Sequence, residues 1–486
     1  MDAFMRDSDA FSWYMERDPT LRSTVVAVAW LEASPDWDVL VAKLEAATRL
    51  IPMFRQRIVE VPGRAAPPRW TVDDEFDLAW HVRRMDSPHP HTPDTVVTVA
   101  RNAAMTGFDP SRPLWEFTLV EHLEGGRAAL VMKLHHALTD GLGGMQLALQ
   151  LYDLQATPVP AAEVERPAGE RPATVDLLCE SAVRDVGRVA GFVASATRTA
   201  LPSGLRATRH PMATTAEVVR TVHSIARTVA PVRDTLSPLM KERSNVRHLE
   251  MLEVRLADLK RAAFAAGGTV NDAFMAAVAG GLRRYHERHD APVEELRVTM
   301  PISIRTPDDP IGGNRITLIR FPVPVSDPDP ASRIEEIGRR CRSAREERSL
   351  PYTDAIAASL NLLPAGVVGG ILKHVDFVAS DVPGFAFPVY LAGARVEGYT
   401  AFGPTAGSSV NLTLLSYAGT CCVGMTIDTA AVPDPEVLAG CLREGFEEVL
   451  VLGGRHERVR LPLLERHAVR RTRARTPRRP SAQPIE

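Results

Sequence analysis

Leu130-Val131-Met132-Lys133-Leu134-His135-His136-Ala137-Leu138-Thr139-Asp140-Gly141-Leu142-Gly143-Gly144 is the stretch from which the fold can be read. Leu130–Leu134 is a β-rich run that delivers two adjacent histidines. Asp140 and three glycines follow, and from Leu142 the pattern turns helical, with Met145, Leu147, Leu149 and Leu151 among good helix formers. The histidines therefore stand where a strand ends and the chain turns toward a helix, a setting in which rigid scaffolds hold catalytic groups. Histidine takes and gives a proton near neutrality, with an ordinary pKa of about 6.5. Neighbours in extended chain point to opposite faces, so His135 and His136 share a cleft only if the backbone bends between them. One reads as a base and the other as a supporting residue. Asp140 is close enough to orient a ring or brace the loop, and Gly141, Gly143 and Gly144 allow close backbone approach. Two other readings compete. A zinc site would use the histidines and the carboxylate, but the usual i, i+4 histidine pair is absent. The plainest reading is a surface loop with a helix-start aspartate. The pattern as a whole favours catalysis, with no metal site and no cofactor.

The 486 residues are long for one core, so two domains are expected. A net charge of −3 gives no reason to expect a nucleic-acid partner, and 45% apolar residues fit an ordinary globular enzyme. Cys179, Cys341, Cys421, Cys422 and Cys441 show no metal-ligand spacing and suit a reducing, cytoplasmic setting. The acidic opening lacks the pattern of a signal peptide, and no uncharged apolar run reaches the ~18 residues of a membrane span.

Along the chain, Met5–Tyr14 reads as a short amphipathic opening, Thr24–Leu31 as a strand and Asp36–Ile51 as a helix. Phe54–Val59, Trp70–Val72 and Phe76–Arg84 read as strands, the last carrying a structural histidine, His81. In Phe108–Glu116 two prolines bracket a turn, and Pro113-Leu114-Trp115 opens the strand Leu114–Glu121. Trp115 reads as a core anchor that shapes the cleft. A turn at Glu124–Arg127 feeds the next strand into the histidines. Residues 156–244 read as a proline-rich linker followed by amphipathic helices at Val175–Thr197 and Ala216–Ala230. These pack on their own protein or, as basic amphipathic helices can, on a lipid surface. Beyond Asn245 come strands at Leu249–Leu256, Leu296–Arg305 and Ile316–Val325. Helices are expected at Ala257–Ala266, Ala273–Arg288, Ala331–Arg348 and Pro435–Leu452. Thr269 and Asn271 are both plausible caps of the Ala273–Arg288 helix. The tail from Arg466 is arginine- and proline-rich and reads as disordered.

His135-His136-x-x-x-Asp140-Gly141 resembles the signature of the coenzyme A-dependent acyltransferase superfamily with the chloramphenicol acetyltransferase-like fold. Pro113-Leu114-Trp115 upstream and Asn271-Asp272 downstream fall in the order seen in its wax ester synthase/diacylglycerol acyltransferase branch. Two departures stand out. Leu21–Val25 replaces a Pro-Met-His-Val-Gly segment, and Asp381 stands where the family's Ser-Asn-Val-Pro-Gly segment has asparagine.

The resemblance implies an α/β fold of two chloramphenicol acetyltransferase-like domains with mixed sheets and an active-site tunnel between them. The N-terminal domain, 1–155, would carry His135, His136 and Asp140. The C-terminal domain would span 245–462, and 463–486 would be a basic tail. The implied reaction moves a long fatty acyl group from acyl-CoA, a substrate, to diacylglycerol or to a long-chain alcohol. His136 would be the general base, and Asp140 would hold the loop through an arginine. Pro113, Leu114, Trp115, Gly141, Asn271 and Asp272 would serve substrate binding or structure, with Asn271 a candidate oxyanion donor. The protein would be cytoplasmic, or peripheral on the inner membrane face or on lipid inclusions. A condensation-type acyltransferase with another donor and a non-enzymatic lipid-binding protein are the alternatives.

Overall fold

The computed structural model describes residues 4–64, 66–160, 234–304, 314, 316–346, 357–358, 360–361 and 373–465. The two amphipathic helices expected between 175 and 230, Cys179 and the tail from Arg466 lie outside these residues.

The N-terminal half opens with helix α1 (Asp7–Met15) and strand β1 (Thr24–Leu31), followed by α2 (Trp37–Leu50). Asp36 caps α2 by accepting the Val39 N–H. A small hairpin follows, β2 (Gln56–Val59) and β3 (Arg69–Val72). Phe76–Arg84 differs from the expected strand. Asp77 accepts the Ala79 N–H and starts a helical turn, α3 (Leu78–His81), so β4 begins only at Val82 (Val82–Asp86). Then come helix α4 (Asp94–Met105), strands β5 (Trp115–Leu123) and β6 (Arg127–His135), helix α5 (Gly141–Leu151) and the short β7 (Tyr152–Asp153).

The C-terminal half begins with β8 (Arg247–Arg255), α6 (Leu256–Ala265), α7 (Val270–Arg288) and β9 (Glu295–Ser303). It continues with β10 (Ile316–Pro324), α8 (Pro330–Arg345) and β11 (Val375–Val382). The last elements are β12 (Tyr390–Leu391), β13 (Ala394–Phe402), β14 (Ser408–Tyr417), β15 (Thr420–Asp428) and α9 (Pro435–Leu450). Among the described residues no single helix is long and apolar enough to cross a membrane.

Two mixed sheets organise two lobes. The first runs β4-β5-β6-β1-β13-β12-β7 and the second β10-β9-β11-β14-β15-β8. Most neighbours are antiparallel; β4 with β5, β11 with β14 and β11 with β9 are parallel. Residues 245–462 do not form one contiguous lobe, because β12 and β13 leave it and complete the N-terminal sheet, β13 pairing directly with β1. Hydrophobic alternation announces a strand without saying which sheet it joins. Where the sheets meet, a Cβ on Gly424 of β15 would lie 2.0 Å from the Ala401 carbonyl oxygen of β13, so only glycine fits.

Each lobe has its own core. Leu40, Leu44, Trp115, Phe117, Leu130 and Met132 anchor the first. In the second, α7 and α9 pack with Phe274, Leu442 and Phe446 against the sheet. Helix α4 covers the other face of the first sheet through Val96 and Ala100, and Leu249 of β8 joins that cluster.

Candidate active site

Alternation along β6 lets only one of the two histidines face the interior cleft. Met132, Leu134 and His136 share a parity, and all three line one cavity. His135, in step with Val131 and Lys133, points to the opposite face and is fully buried. Its Nδ1 accepts the Ala137 N–H at 3.0 Å, so in the neutral ring the proton sits on Nε2. Nε2 lies 3.2 Å from Oε1 of Glu16. The edges of Trp13 and Phe108 close around the ring at 6.0 and 5.9 Å. Glu16 is buried, which alone would raise its pKa. The bonds from His135 and from the Ser23 N–H, with the Arg22 charge, outweigh this and hold it below the ordinary carboxylate value.

His136 is partly exposed to the cavity. Its backbone N–H donates to the Ser23 carbonyl at 2.9 Å, which pins the loop to the chain entering β1. Nδ1 is buried without a close hydrogen-bond partner among the described residues. Burial lowers the pKa of His136 from its ordinary value, outweighing its own backbone carbonyl and the Asp140 carboxylate, which raise it. The ring is therefore neutral near pH 7.

Asp140 is buried and caps α5, its Oδ1 accepting the Gly143 N–H at 2.7 Å. Gly141 is the first residue of that helix. A Cβ there would lie 2.8 Å from Val382 of β11, so the absence of a side chain lets the second lobe close over the loop.

Pro113-Leu114-Trp115 acts on the site through the backbone and the core. The Leu114 carbonyl accepts the His135 N–H at 3.1 Å. Trp115 is fully buried, donates Nε1–H to the Phe54 carbonyl at 2.9 Å and stacks on His81, ring centroids 4.5 Å apart. His81 Nδ1 in turn meets the Trp115 carbonyl at 2.7 Å, and burial drives its pKa down to about 4. Asn271 and Asp272 lie elsewhere, at the start of α7, and do not line the cavity. There Thr269 and Asp272 form a reciprocal capping box, so Thr269 is the cap rather than Asn271.

The cavity measures about 830 Å³ and both lobes build it. Val25, Phe117, Met132 and Leu134 of the first sheet face Val378 and Leu415 of the second. Its polar groups include Ser23, Thr139, Asn411 and Thr413. Such a space takes a long apolar chain past one neutral histidine. The sequence reading missed Glu16 and Ser23, which brace the two histidines. Their positions far upstream carry no spacing signal; only the return of β1 beside β6 brings them close.

Comparison with known proteins agrees with this geometry. The wax ester synthase/diacylglycerol acyltransferase catalytic domain model matches residues 5–274, and the corresponding C-terminal domain model matches 312–449. A Mycobacterium tuberculosis H37Rv protein, provisionally named a diacylglycerol O-acyltransferase, is 36% identical over 442 residues, covering 90% of each chain. The structure of a wax ester synthase/diacylglycerol acyltransferase from Marinobacter aquaeolei VT8 superposes with a TM-score of 0.61 at 19% identity. The match covers 93% of this chain and 100% of that one. The first condensation domain of the calcium-dependent antibiotic synthetase also gives 0.61, at 15% identity over 95% and 99% of the two chains. At these identities the two structures bear on the fold alone.

Proposed function

Because the chain belongs to the wax ester synthase/diacylglycerol acyltransferase family, we propose that it transfers a long-chain fatty acyl group from acyl-CoA to the hydroxyl of diacylglycerol, and to long-chain alcohols, with His136 as general base. The observation that carries this reading is a partly buried, neutral histidine on the wall of an apolar cavity built by both lobes. The acceptor hydroxyl loses its proton to His136 as its oxygen attacks the thioester carbonyl. The C–S bond then breaks, and the same proton leaves with the coenzyme A thiolate. A general base of this kind contributes roughly 10²–10⁴-fold. Asp140 holds the loop by capping α5, and His135 with Glu16 braces it from the opposite face of β6. Asn271, at the start of α7 and not on the cavity wall, has a structural role in this reading and is not the oxyanion donor.

The acceptors barely dissolve in water, so the enzyme collects them at a membrane or lipid-inclusion surface by peripheral binding. Flotation with diacylglycerol-containing vesicles at low salt checks this, and a protein that never floats overturns it. The deciding assay gives the purified protein palmitoyl-CoA with dioleoylglycerol or hexadecanol and identifies the ester formed. Transfer from a carrier-bound acyl group but not from palmitoyl-CoA would move the assignment to a condensation-type reaction.

A further inference from the structure

The end of the cavity away from His136 is basic. Arg297 of β9 and Arg320 of β10 both line it. Arg320 pairs with Thr299 in the β9–β10 register, so their side chains stand on one face. Arg297, two residues before Thr299, shares that face. The two arginines are thus diagonal neighbours across the strand pair, about 7–8 Å apart at the backbone. Arg297 Nη1 is held by the carbonyls of Asp234 and His374 at 3.0 and 3.1 Å. Asp376, the carboxylate nearby, is taken up by the backbone N–H groups of Leu236, Ser237 and Arg297. Burial first, and then the Arg297 charge, pull the Arg320 pKa below its ordinary value. Arg339 and Arg340 of α8 border the same space. Both pair with Glu336, and Arg340 also pairs with Glu295. Two arginines on one face of a strand pair offer an anion paired charge-assisted hydrogen bonds.

The strand register gives the distance from this end to the start of the helix that follows the histidine loop. Val382 abuts Gly141, the first residue of the helix that follows the histidine loop. β11 runs parallel to β9 with Val378 opposite Thr299, which puts Val382 level with Ser303. From Ser303 back to Thr299 and its partner Arg320 is four residues, ~13 Å; to Arg297 it is six, ~20 Å. The pantetheine arm of an acyl-CoA runs about thirteen bonds from sulfur to the first phosphorus, the length of roughly four residues of extended chain, ~14 Å. Ile316, Leu318 and Pro301 line the way between, on the face of the two arginines.

We propose that Arg297 and Arg320 form the subsite for the phosphate groups of the acyl-CoA donor, with the pantetheine arm lying along β9 and β10 and its thioester delivered to His136. This rests on acyl-CoA being the donor. Arginine suits the role because its fork grips phosphate oxygens in pairs.

The test uses the full chain, two donors and a direct binding measurement. Palmitoyl-CoA carries the phosphates; palmitoyl-pantetheine lacks them. Arg320→Gln and Arg297→Gln should each raise KM for palmitoyl-CoA about tenfold or more, with kcat little changed and KM for palmitoyl-pantetheine unaltered. Calorimetric titration with coenzyme A should show the same loss of affinity, and Arg320→Lys should keep part of it. In the wild type, rising salt should raise KM for palmitoyl-CoA alone. Arg297 also bonds two carbonyls, so if its variant unfolds, Arg320→Gln and the salt series decide. Variants that bind coenzyme A like the wild type, or raise KM for both donors equally, overturn the subsite. So does a rise confined to the KM of the acceptor, which would assign the arginines to a phosphate on the acceptor side. The two readings fail separately. Wild type active with palmitoyl-CoA but arginine-independent sinks the subsite alone. No transfer from palmitoyl-CoA, with arginine-dependent binding of coenzyme A, sinks the proposed reaction alone.

Discussion

His135 and His136 differ in what surrounds each ring, and substitution should separate them. His136→Ala removes the proposed base and should lower kcat by roughly 10²–10⁴-fold while thermal unfolding stays near that of the wild type. His135→Ala leaves Glu16 buried without its partner 3.2 Å away. Losing such a hydrogen bond to a charged group costs about 1.5–3 kcal/mol, so this variant should lose stability first and activity less. Equal activity losses at unchanged stability would reverse the assignment. The pH profile follows from the direction of the shift. Burial lowers the pKa of His136, so the neutral, basic form persists below the ordinary value of about 6.5. The acid limb of kcat/KM should therefore fall below pH 6.5 in a pH series with a soluble acceptor. A limb above 7 would mean that another group is titrating. The same residues show how far local sequence reaches. Alternation allows only one of the two histidines to face the cleft, yet it does not announce Glu16, which arrives from the end of α1.

Helix α5 is placed by its first two residues. Asp140 caps it, and Gly141 lets β11 come within contact of it. Gly141→Ala should cost about 1–3 kcal/mol, since its Cβ would lie 2.8 Å from Val382 and one of the two elements must shift. Val382→Ala in the same protein should recover most of that loss, a coupling that thermal or denaturant unfolding of the four-member mutant cycle would read. Additive losses would mean that the lobes do not close at this contact. The strand Thr24–Leu31 and the run Leu130–Leu134 within β6 were legible because strand-forming residues and turn residues agree. Phe76–Arg84 was not, because one aspartate at Asp77 captures a backbone N–H and outweighs the strand pattern. Helix α4 escaped the sequence reading altogether. Its buried face is narrow, Val96 and Ala100, and most of its other residues are half-exposed.

The whole molecule is tied together by the return of β13 to the N-terminal sheet, between β1 and β12. Residues 1–244 alone would leave the edge of β1 unpaired and much of its core open to water. Expressed alone, that fragment should aggregate. Expressed with residues 234–486 as a separate chain, it should be recovered as a soluble pair on size-exclusion chromatography. A monomeric, cooperatively unfolding 1–244 fragment would show that the crossover is dispensable.

By itself, the sequence determined the fold class, the family resemblance and the strand-to-helix loop that presents two histidines. These rest on neighbours in the chain: alternation, turn residues, and a motif a few residues long. Tertiary structure alone decided that His136 rather than His135 meets the cavity, and that His135 is held by Glu16. It also put Asn271 and Asp272 at a helix start that does not line the cavity, and sent β13 across to the other lobe. Those outcomes depend on which sheet face becomes the interior and which distant strands pair. Both are settled by packing between segments far apart in the chain, and no local pattern encodes them.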